Sequence, residues 1–137
     1  MARIIGIDYG KKRCGLAWTD PLQIIASGIG YVPERELMTK LAELCKSEKV
    51  EAFVLGFPTQ LDGSDTDTTQ DVRELKVKIE KQFPEKPVVL VDEQFTSRMA
   101  MDSMLHAGVP KKKRRNKGLI DQVSATLILQ DYLQSKS

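Results

Sequence analysis

Three carboxylates in this chain stand where they could share a metal ion: Asp8, Glu93 and Asp121. Asp8 closes the apolar run Ile4-Ile5-Gly6-Ile7, so a strand delivers it to a sheet edge, and Gly6 and Gly10 allow other backbone to come close. Glu93 follows a second apolar run, Val88-Val89-Leu90-Val91, and a carboxylate in such surroundings needs a cation or hydrogen-bond donors. Asp92 precedes it, and since neighbours on a strand face opposite ways, only one of the two can line the cleft of Asp8. Asp121 falls in the second turn of the last expected helix, beside its apolar stripe, with the small residues Ser124 and Ala125 close by. Magnesium and manganese take such hard oxygen ligands, and two ions roughly 4 Å apart can serve both the attacking and departing oxygens of a phosphodiester. The single histidine, His106, is not needed for that chemistry. Each acid also has a structural reading: Asp8 as a hairpin cap, Glu93 as a cap or partner of Arg98, Asp121 as a complement to a helix dipole.

Cations for a polyanion are concentrated in one place. Lys111, Lys112, Lys113, Arg114, Arg115 and Lys117 supply six of the 21 basic residues; without them, 15 basic residues would face 19 acidic ones. An acidic body with one basic segment is the footprint of a nucleic-acid binder, although such a run can also be a solvated loop. Arg98, Thr96 and Ser97 follow Glu93 and suit phosphate contact or helix capping. The loop holding Gly56, Pro58, Asp62 and Gly63 leaves a buried strand at its carboxyl end, where open α/β sheets place ligands.

The elements that must position these groups follow from periodicity. Strands are expected at 3–8, 13–18 and 23–32, joined by short turns into an antiparallel meander. A helix at 34–49 leads to a strand at 51–57, a helix at 68–82 to a strand at 88–91. A helix then runs from about 97 to 108, and a last one from about 116 to 133, with Ile120, Val123, Leu127 and Ile128 on its packing side. The order βββαβαβαα makes the fold class α/β: three antiparallel strands continued by parallel crossovers into a mixed five-stranded sheet flanked by helices. With 137 residues, 41% of them hydrophobic and 29% charged, the chain reads as a single domain, 1–137. No stretch has the length of a membrane span or a signal h-region, which points to a cytoplasmic protein, and Cys14 and Cys45 are expected as packed thiols. Aromatic residues, 6% of the chain, form no recognisable stacking motif, and neither sequence specificity nor oligomeric state is legible.

Four ordered motifs carry a resemblance: Gly6-Ile7-Asp8-Tyr9-Gly10; Gly56-Phe57-Pro58 with Asp62-Gly63; Asp92-Glu93-Gln94-Phe95-Thr96-Ser97; and Ile120-Asp121-Gln122-Val123-Ser124-Ala125. Together they resemble the YqgF family over essentially the whole chain. The resemblance implies an RNase H-like fold and a nuclease dependent on Mg²⁺ or Mn²⁺, two ions being expected, with Asp8, Glu93 and Asp121 as catalytic and metal-binding acids. It further implies action on structured RNA, namely the 5′ end of precursor 16S ribosomal RNA in pre-ribosomal particles, or alternatively on branched, four-way DNA. Two departures stand out: Gln94 where the family commonly has arginine, and Ser124 where alanine is common. Gln60 also replaces a usual asparagine. The opening motif further resembles the first phosphate loop of two-domain ATPases, but this chain has room for one such domain only. A non-catalytic RNA-binding protein on the same fold is the remaining alternative.

Overall fold

The structure, a computed structural model, describes residues 2–57, 67–92 and 117–136. Five strands form one sheet: β1 Arg3–Asp8, β2 Arg13–Thr19, β3 Ala26–Pro33, β4 Val50–Phe57 and β5 Val88–Asp92, in the spatial order β3-β2-β1-β4-β5. The first three pair antiparallel, while β4 pairs parallel to β1 and β5 parallel to β4. The expected meander and crossovers are therefore present. The described helices are α1 Leu37–Ser47, α2 Asp67–Gln82 and α3 Lys117–Lys136; the helix expected at 97–108 lies outside the described residues.

The sheet is covered on both faces, which is why β1 and β4 read as continuous apolar runs. On one face Ile5, Ile7, Leu16, Phe53 and Leu55 pack with Leu37, Leu41 and Leu44 of α1 and Val72, Leu75 and Ile79 of α2. On the other, Ile4, Ala17, Ala52 and Val54 meet Ala125, Ile128, Leu129 and Leu133 of α3. Even-numbered residues of β1 and odd-numbered residues of β2 thus belong to the α3 face.

Three local features differ from expectation. The third strand starts at Ala26, because Asp20 holds the preceding turn: its carboxylate accepts hydrogen bonds from the backbone N–H groups of Leu22, Ile24 and Ile25 at 2.8–3.1 Å. Residues 34–36 form a 3-10 turn before α1, so that helix is shorter than its sequence period suggests. In α3 the buried stripe is Ser124, Ala125, Ile128, Leu129 and Leu133, whereas Ile120, Val123 and Leu127 are half-buried. The helix is rotated so that its backbone at Asp121, Gln122 and Ala125 meets Gly15 and Gly6 of the sheet, a closer approach than side chains at those strand positions would allow. Lys117, expected in the basic loop, opens this helix.

Candidate metal-binding active site

Asp8 is the last residue of β1, on the α3 face, and is only 9% exposed. Its cross-strand partner is Gly15. A Cβ at Gly15 would lie 1.9 Å from the main-chain oxygen of Asp121, so α3 rests on bare backbone here. Gly6 forms the second seat, where a Cβ would fall 2.9 Å from Leu129 Cβ and 3.2 Å from the Ala125 oxygen. The helix therefore runs from the Asp8 end of β1 back toward the strand's start. Two glycines on adjacent strands fix its depth, and this seating brings Asp121 over the residue paired with Asp8. Ile7 pairs with Leu55, so Gly56 stands one step on in the neighbouring strand, at the level of Asp8, with Val91 paired to it from β5.

Burial pushes the Cys14 thiol up to about 12, and the Glu34, Asp8 and Asp121 carboxylates all add in that direction. A single buried group thus senses both acids. On the opposite face of the sheet, burial first and then the Glu34 and Asp71 charges hold the Tyr9 phenol up at about 12; its hydroxyl donates to Glu34 Oε1 at 3.5 Å. Lys11 reaches Asp71 at 4.0 Å.

Of the residues expected from sequence, the structure brings Asp8 and Asp121 together and sets Gly56 at the same edge. Glu93, Arg98, Lys111, Lys112, Lys113, Arg114 and Arg115, with Pro58, Asp62, Gly63, Thr96 and Ser97, lie outside the described residues. Among the described residues no three His, Cys, Asp or Glu side chains form a metal-binding group. The residues present nonetheless suit a hard divalent cation: the Asp121 backbone lies over the residue paired with Asp8, and one turn beyond Asp121 the fully buried Ser124 Oγ has no hydrogen-bond partner among the described residues. Buried hydroxyls are ordinarily satisfied by protein groups or ordered water, and a hydrated ion would supply such water. Sequence reasoning overlooked Gly15, whose signal was a glycine inside a strand pattern.

A family model described as the Holliday junction resolvase RuvX matches residues 2–135. A Flavobacterium johnsoniae protein named "Putative pre-16S rRNA nuclease" is 47% identical over 136 residues, covering 99% of each chain. One of the same name from Porphyromonas gingivalis is 47% identical over 135 residues, 98% of each. Among solved structures, Thermus thermophilus RuvC in complex with a Holliday junction aligns over 99% of this chain and 96% of its own, with TM-score 0.58 and 16% identity. The fowlpox virus resolvase bound to junction DNA aligns over 98% of both chains at TM-score 0.58 and 11% identity. These two likenesses concern the fold, a mixed sheet of the RNase H type. From its 2–135 match and its full-length relatives, the chain belongs to the RuvX family, also called YqgF.

Proposed function

We propose that this protein is a divalent-metal-dependent nuclease that hydrolyses phosphodiester bonds in the 5′-end maturation of precursor 16S ribosomal RNA. The observation that carries the reading is the seating of α3 on Gly15, which sets Asp121 above the residue paired with buried Asp8. Carboxylates sharing one sheet edge repel each other, and a cation between them would offset that repulsion. The names of the full-length relatives supply the ribosomal substrate, and pre-ribosomal particles are accordingly the partner.

Hydrolysis adds water across a P–O bond: the attacking oxygen loses a proton, the departing oxygen gains one, and negative charge builds on the phosphoryl oxygens between them. Mg²⁺ or Mn²⁺, two ions in our reading, would supply the Lewis acid for that charge. Asp8 and Asp121 would hold the ions, and Glu93 is the third ligand in this proposal. The end of β5 supports that choice, since Val89 and Val91 pack toward α3 and Glu93 follows Asp92, the strand's last residue, in sequence. The flat helix seat over Gly6 and Gly15 keeps the first turns of α3 fixed, so Asp121 need not be reorganised when substrate arrives.

Cleavage of labelled precursor 16S RNA and of a four-way DNA junction by the protein and its Asp8→Asn variant, with Mg²⁺ or Mn²⁺, tests the proposal. RNA cleavage that disappears in the variant, with binding retained, is the expected result. Cleavage of the junction alone would transfer the substrate to branched DNA, the reading favoured by the family description. Undiminished cleavage by Asp8→Asn would overturn the site.

A further inference from the structure

Beside the acid pair lies a cationic flank that the basic segment does not account for. The chain from the β1–β2 turn into β2 reads Tyr9-Gly10-Lys11-Lys12-Arg13, three successive cations beginning three residues after Asp8. The turn is tight: a Cβ at Gly10 would meet the Arg13 carbonyl oxygen at 2.5 Å, and the Cys14 thiol donates to the Gly10 carbonyl at 3.7 Å. Its far end is fixed to the rest of the sheet, because Arg13 pairs with Pro33 and the Lys12 carbonyl accepts the Glu34 N–H at 3.1 Å. These cations are therefore carried on rigid backbone.

Their placement is specific. Arg13 has the parity of Gly15 and Ala17, so it stands on the α3 face with Asp8 and Asp121. It is the diagonal cross-strand neighbour of Asp8, about 7–8 Å away between backbones, within reach of a long side chain. Of the three, Lys11 has a partner in Asp71, at the 4.0 Å limit of an ion pair. Arg13, half-buried, and Lys12, exposed, form no side-chain ion pair among the described residues. A half-buried arginine diagonal to Asp8 on the α3 face, forming no ion pair among the described residues, is arranged for an external anion, and a phosphodiester offers paired oxygens to its fork of donors.

We propose that Arg13, with Lys12 beside it, forms a phosphate-binding point for the nucleic-acid backbone on the hairpin flank of the acid pair. It deepens the nuclease reading and rests on it. The site holds a phosphate adjoining the one that is cut, and so sets the register of the strand across Asp8 and Asp121. It is a positioning site, fixed by strand pairing, distinct in sequence from the cations preceding α3.

The test is equilibrium binding by fluorescence anisotropy over a salt series, without divalent ions, using the full chain and a labelled single-stranded RNA. Arg13→Gln should lower the log-log salt slope by about 0.7, and the Lys12→Gln/Arg13→Gln pair by about twice that. Arg13→Lys should keep the slope but lose affinity and cleavage rate, because a point charge cannot hold a phosphate bidentately. Melting curves establish that the variants fold; should Arg13→Gln unfold, Lys12→Gln at its exposed position carries the slope measurement. Unchanged slope and affinity in the double variant, with cleavage intact, would overturn this site and leave the nuclease standing. Lowered slopes alongside cleavage that survives Asp8→Asn would keep the phosphate site and remove the catalytic assignment. Absence of RNA binding by the unmodified chain would remove both.

Discussion

At the scale of single residues, the site's chemistry is set by what surrounds each ionisable group. Cys14 sits in strand β2 with its thiol in the α1/α2 core and its charge environment made partly by Asp8 and Asp121. A raised thiol value means the proton is retained, so at pH 8 a thiol held at about 12 is roughly 10⁻⁴ ionised, against about a quarter for an ordinary one. Alkylation of Cys14 in the native protein should be slower than in urea by about three orders of magnitude, measured by mass-resolved labelling. Cys45 is only half-buried and has Lys86 opposing its upward shift, so it should react first. Above pH 9 the unfolded chain releases a proton that the folded Cys14 keeps, so stability should decline toward pH 12. Rapid native labelling of Cys14 would mean that β2 opens at the site. Asp20 works in the opposite sense: the Ile25 N–H foremost, with those of Ile24 and Leu22, holds its carboxyl below the ordinary carboxylate value.

At the scale of elements, two glycines illustrate different physics. Gly15 has no room for a side chain because α3 lies on it, whereas Gly30 has open space but a φ of +125° at the bulge opposite Leu16 and Ala17. Gly15→Ala should cost about 1–3 kcal/mol and displace the Asp121 turn, so melting temperature and cleavage fall together. Gly30→Ala should cost about 1 kcal/mol through backbone strain alone and leave cleavage unchanged. Denaturant melts with a parallel activity assay check this; full cleavage by a destabilised Gly15→Ala would mean that the helix seat does not position Asp121. The same pair shows what sequence can convey. The meander, both parallel strands and the sheet edge that carries Asp8 were legible, since apolar runs ending in acids and short turns leave few alternatives. The rotation of α3 was not: a helical wheel ranks Ile120, Val123 and Leu127 above Ser124 by hydrophobicity, and only the glycines of two strands, distant in sequence, decide which side lies down. Arg13 was hidden for a related reason, because its significance depends on strand parity relative to Asp8 and on the absence of a nearby ion-pair partner among the described residues.

At the scale of the whole molecule, charge is distributed so that the acid pair has cations arriving from two directions in sequence. One group is built into the first hairpin; the other, Lys111–Arg115, precedes the helix that begins at Lys117 and carries Asp121. No helix among the described residues is long and apolar enough to cross a membrane. A backbone threading past the acids would be neutralised by both groups. Replacing Lys111, Lys112, Lys113, Arg114 and Arg115 with glutamine should therefore reduce the salt slope by up to about 3.5 for single-stranded RNA if each cation meets a phosphate. Cations that meet separate phosphates act independently, so combining this change with Arg13→Gln should give the sum of the two slope losses. Cations competing for the same phosphates would instead give a combined loss smaller than the sum, and an unchanged slope in the five-residue variant would make the segment a solvated loop. If the segment, which precedes the Asp121 helix by way of Asn116, contributes substrate binding and no chemistry, its removal should raise KM for long RNA more than for short fragments, while kcat stays within a few-fold.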